Sequence, residues 1–100
     1  MNMQQMMAQA QKMQRELKKA QAELAEKEFV ITKGGAVTVT VLGSKEIKSI
    51  NIDADAFDPE NKEMIEDMIA LAINEALEQI TAEEEAINER ITGQPGGLGF

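Results

Sequence analysis

The feature that most constrains this chain is an unbroken three-four spacing of apolar residues at its start. Met3, Met6, Ala10, Met13, Leu17, Ala20 and Leu24 fall at alternating steps of three and four, the seam of a heptad helix. Ala, Gln, Glu, Lys, Leu and Met fill nearly every position before Gly34, so propensity and pattern agree on a helix over about residues 3–27. Such a helix would extend about 37 Å, longer than a small domain can cover. The seam is therefore expected to serve partly for packing within the chain and partly for contact with a second copy.

Three short β-branched runs follow. Glu28 to Lys33 leads through Gly34-Gly35, a two-residue turn tolerant of positive φ, into Ala36 to Leu42, where valines alternate with polar threonines. A second turn at Gly43-Ser44 returns the chain through Glu46 to Asp53. Simple alternation puts Ile50 and Ile52 on one face and Ile47, Ser49 and Asn51 on the other. Ala54 to Phe57 read as a loop. Asp58-Pro59-Glu60 then offers a capping acceptor, a proline suited to a first turn and an acid at the positive helix end, so a second helix starts there and keeps its spacing to about residue 91. Its apolar stripe is wide enough for two packing partners: the sheet, and either the first helix or a second subunit. The expected fold is α+β: a long N-terminal helix, a three-stranded antiparallel meander and a long C-terminal helix. These form one domain over 1–92, with a flexible glycine-rich tail at 93–100.

Composition narrows the function. The 100 residues include no cysteine and no histidine, which removes thiolate and imidazole metal sites and the commonest catalytic base. Ser44 and Ser49 lack a histidine to activate them, and the carboxylates lie on helix faces rather than in a recognisable pocket, so no catalytic site and no cofactor are expected. Asp53, Asp55 and Asp58 open like a calcium loop, but Asp58 and Met64 stand where the loop needs glycine and glutamate, so they read as turn and capping residues. Glu83, Glu84 and Glu85 read as a solvated face, and the methionines as core filler. No signal-like N-terminus and no run of eighteen apolar residues occurs, so a cytoplasmic location without membrane contact is expected.

Charge is distributed unevenly. The formal net charge is −8, yet residues 1–50 carry eight basic and five acidic side chains against two and thirteen in residues 51–100. On a helical wheel Lys12, Arg15, Lys18 and Lys19 gather opposite the apolar seam, and Glu16 is the sole acid among residues 1–22. A solvated helix face ordinarily mixes signs. This segregated cationic strip, in an acidic chain, points to phosphate contact confined to one surface. Nothing suggests base-edge readout, so low sequence preference is expected. The alternative is a protein-interaction module that uses the helical seam or the acidic second helix.

The phrases MMAQAQKMQREL (6–17), GGAVTVTVLGSKEIKSINIDADAF (34–57) and above all NKEMIEDMIALAINEAL (61–77) resemble the YbaB/EbfC family of bacterial nucleoid-associated proteins, over nearly the whole chain. The resemblance implies a helix, three strands and a helix per subunit, and a tweezer-like homodimer with projecting helices. It also implies nucleoid DNA binding by those helices with little sequence preference. Carried onto this chain, the contact surface is the projecting part of the first helix, with Lys12, Arg15, Lys18 and Lys19.

Overall fold

The computed structural model describes residues 2–93. Helix α1 spans Met3–Glu26, strands β1, β2 and β3 span Glu28–Lys33, Val37–Leu42 and Ile47–Ile52, and helix α2 spans Lys62–Thr92. The strands form one antiparallel sheet in the order β1-β2-β3. The glycine-rich tail lies, beyond Gly93, outside the described residues. Among the described residues no helix is long and apolar enough to cross a membrane.

Local chemistry sets each boundary. Asn2 caps α1 by accepting from the Gln5 backbone N–H at 2.8 Å, and the Gln5 side chain returns to the Asn2 N–H, a reciprocal capping box. Gly34 and Gly35 both take positive φ at the centre of a turn closed by the Ala36 N–H donating to the Lys33 carbonyl at 3.0 Å; Lys33 pairs with Val37, so Ala36 belongs to the loop rather than to β2 and the connection is one residue longer than expected. After the sheet, the Asp53 carboxylate caps a short 3-10 turn over Ala54–Ala56, and Asp58 caps another over Pro59–Asn61 by accepting from the Glu60 N–H at 2.8 Å. Two of the three aspartates are thus capping residues. The tight turn at Pro59 runs straight into α2, whose first residue, Lys62, bonds Glu66 one turn on at 2.8 Å. That hydrogen bond, helped by the Glu66 charge, raises the Lys62 pKa. Gly93, at φ 75°, ends the helix in the left-handed conformation.

The second hairpin departs from expectation in two ways. The left-handed residue is Lys45 rather than glycine, while Gly43 is needed for a close approach: a Cβ there would overlap the Leu24 carbonyl. The turn also closes the C-terminal end of α1, because the Gly43 N–H donates to the Lys27 carbonyl at 2.9 Å and the Ser44 N–H to the Ala25 carbonyl at 3.1 Å. Secondly, an irregularity between Thr40 and Val41 shifts the β3 register. Val37 and Val39 stand opposite Ile52 and Ile50, and Val41 opposite Ile47. Directly opposed residues share a face, so the bulge brings Ile47 round to the side of Ile50 and Ile52, contrary to simple alternation.

The core lies between α2 and the sheet. Phe29 and Ile31 of β1 and Val37, Val39 and Val41 of β2 pack against Ile65, Ala72, Ala76 and Ile80 of α2, with Leu24 of α1 closing one end. Each fully buried aliphatic side chain contributes about 1.5–3 kcal/mol. The stripe of α2 does have two packing partners, the sheet and α1. A Cα radius of gyration of 19.0 Å, against about 13 Å for a compact domain of this length, records how far the helices project. The principal extents are 68 × 23 × 15 Å.

Candidate nucleic-acid interface

Helix α2 runs back along α1 in the opposite direction. Lys27, just after α1, bonds Glu83 at 2.8 Å, whereas Glu16, Lys19 and Ala20, further up α1, share a groove with Arg90 and Ile91. This arrangement divides the seam by height. Leu24 is buried, Met13, Leu17 and Ala20 are half-buried, and Met3, Met6 and Ala10 are exposed beyond the end of α2.

The cations run from the face of α1 opposite the seam, where Lys12, Arg15 and Lys18 lie, round to the groove edge, where Lys19 lies. Lys12, Arg15, Lys18 and Lys19 are all exposed along two turns of a continuous helix, so one rigid element presents them together. Their surroundings differ from those of the lysines on the body. Lys27 binds Glu83, Lys33 binds Glu75 at 2.8 Å, Lys45 lies 3.8 Å from Glu84, Lys48 binds Glu28, and Lys62 binds Glu66. Every lysine on the body is thereby matched by a carboxylate, and Glu83 and Glu84 are ion-pair partners rather than a free solvated face. Lys27 also lies 5.2 Å from the centre of the Phe29 ring.

On α1, by contrast, only Lys12 has a carboxylate within 4.0 Å, that of Glu16, and this exposed pair is at the limit of contact. Among the described residues, Arg15, Lys18 and Lys19 have none. Arg90 of α2 is likewise without a carboxylate at that distance, and it lies at the groove edge beside Lys19. Sequence reasoning missed Arg90. It stands in an acidic helix, 71 residues from Lys19 along the chain, and only the antiparallel packing of the two helices joins it to the basic strip. Chemically, four flexible cations and a guanidinium on a narrow projecting arm can meet a line of phosphates, while the surrounding acids repel the same polyanion elsewhere. No group of three or more acidic residues suited to a metal ion occurs among the described residues.

Comparison with known proteins agrees with this architecture. The fold matches that of an uncharacterized protein from Helicobacter pylori with a TM-score of 0.77 at 19% identity, covering 93% of this chain and 99% of that one. A nucleoid-associated protein of Clostridium novyi is 53% identical over 96 residues, which cover 93% of this chain and 82% of the relative. Another, of Ruminiclostridium cellulolyticum, is 45% identical over 100 residues, covering 97% and 85% respectively. The model of the YbaB/EbfC DNA-binding family matches residues 1–95, and with relatives of this closeness over this length the chain belongs to that family.

Proposed function

We propose that this protein binds duplex DNA as a homodimer, through phosphate contacts from the basic face of α1, with low sequence preference and as a component of the bacterial nucleoid. One observation carries the reading: Arg15, Lys18 and Lys19 have no carboxylate partner, whereas all five lysines of the body have one. Cations already neutralised by the protein have little to offer a phosphate; unpaired ones release counterions when they meet it. The family's DNA-binding description and the names of the relatives support the same reading. No base-reading constellation accompanies the cations among the described residues, so the contact is expected to follow backbone rather than sequence.

The homodimer draws support from an uncovered apolar surface. Ile47 and Ile50 of β3, each 45% exposed, continue the inner face of the sheet past the edge of α2. Partly buried Ile52, on the same strand, and Ile73 and Leu77 of α2 extend the apolar area. Two copies joined there would hold two α1 arms on one body and double the number of phosphate contacts.

The test is a charge reversal. Lys12→Glu, Arg15→Glu and Lys19→Glu together, all on an exposed helix face, should leave the fold intact and abolish the gel shift of a duplex. A folded triple variant that shifts DNA normally at low salt would refute this surface. The protein-interaction alternative predicts instead a captured protein partner retained at high salt, with that variant still competent.

A further inference from the structure

Residues 1–11 carry no charged side chain, in a chain where 28% of residues are charged. The same stretch forms the tip of α1, beyond the end of α2. There Met3, Met6 and Met7 are 75%, 58% and 56% exposed, and Met3, Met6 and Ala10 continue the seam that further down packs on the chain's own α2. A helical overhang has little stability of its own, because most helical stability in proteins comes from packing of an apolar face. A tip left to solvent would ordinarily carry charge. This one presents thioethers, alanines and glutamines.

The occupant follows from charge. Phosphate has no side-chain cation to meet before Lys12, and neither an acidic nor a basic protein surface finds a complementary side chain on the tip. A second copy is different: it presents the same heptad-spaced seam without charged side chains, so two tips can interleave Met3, Met6 and Ala10 with no charge to desolvate and no like-charge repulsion between them. We infer that the first three turns of α1 are a self-association surface, on which Met3, Met6 and Ala10 of one copy pack against the same residues of another in a two-fold contact. Methionine suits such a seam because its flexible, polarizable side chain fills irregular gaps. A few helical turns bury less than the roughly 1,200 Å² of a stable interface. The contact is therefore weak singly, and it becomes effective where several tips are held close together, as along one DNA molecule. Being apolar, it is insensitive to salt, unlike the phosphate contacts lower on the same helix.

The absence of cysteine makes the test clean. The full chain carrying Met6→Cys, treated with a short bis-maleimide and no DNA, should give a covalent two-chain product. Its yield should be several-fold above that of Ala8→Cys, which lies on the opposite side of the tip, and should hold as salt is raised. Adding Met3→Glu and Ala10→Glu should reduce it to the Ala8→Cys level, with helix content unchanged by circular dichroism; Met3→Gln with Ala10→Gln, which keeps helix propensity and adds no charge, should reduce it partway. Equal yields from Met6→Cys and Ala8→Cys overturn the inference, as does a product that the added substitutions leave undiminished. Coverage of the tip by residues 94–100 of the same chain would give no two-chain product and overturn it too. Ile50→Cys reports separately on the body contact, and the duplex gel shift on DNA binding, so failure of either leaves the tip result interpretable.

Discussion

Arg15→Gln isolates one phosphate contact. Arg15 is exposed and has no carboxylate within 4.0 Å, and glutamine is nearly as good a helix former, so the substitution removes one positive charge per copy and little else. Unfolding should shift by less than about 0.5 kcal/mol. Each cation that neutralises a phosphate on duplex DNA adds about 0.9 to the slope of log affinity against log salt, so two copies in a homodimer lower the slope by about 1.8. Over a fourfold rise in salt the native protein should therefore lose about twelve-fold more affinity than the variant. Fluorescence anisotropy of a labelled duplex across a salt series measures both slopes, with chemical denaturation run alongside. A slope equal to that of the native protein, with the fold intact, would show that Arg15 touches no phosphate, and the assignment of the α1 face would fall with it.

Other predictions follow from the same geometry. Glu16→Gln removes the only acid within the basic strip and frees Lys12; at about 0.5 kcal/mol per copy it should tighten duplex binding about five-fold at low salt, and unchanged or weaker binding in a gel shift would refute the role of Lys12. Ile50→Glu places a charge in the exposed apolar patch on β3 and should reduce the solution mass from two chains to one by sedimentation equilibrium; a persisting dimer would place the interface elsewhere. Gly43→Ala drives a Cβ into the Leu24 carbonyl and should destabilise the fold by about 3 kcal/mol in urea denaturation. A loss below about 0.5 kcal/mol there would mean that the turn can withdraw from α1 at little cost.

Which parts were legible in the sequence, and which were not, follows from the range of the interactions. Helix α1, the meander and α2 are periodic signals carried by near neighbours, and these elements were readable almost to their ends, as were the capping aspartates Asp53 and Asp58. The basic strip was readable too, because residues three and four apart on one helix share a face whatever that helix later packs against. Asn2 belongs to the same class: its reciprocal bond with Gln5 is a local signature that was open to reading and was passed over. Ile47 was misplaced because one irregular pairing on β2 changes the face of a residue on β3. The role of Gly43 depends on a carbonyl nineteen residues earlier, and that of Arg90 on a lysine 71 residues earlier. The sequence by itself determined the elements, their order and the segregation of charge on α1. Only the tertiary structure decided which cations remain unpaired and where the seam passes from its own chain into solvent, because pairing and burial depend on what packing brings within a few ångströms, and no periodicity encodes that.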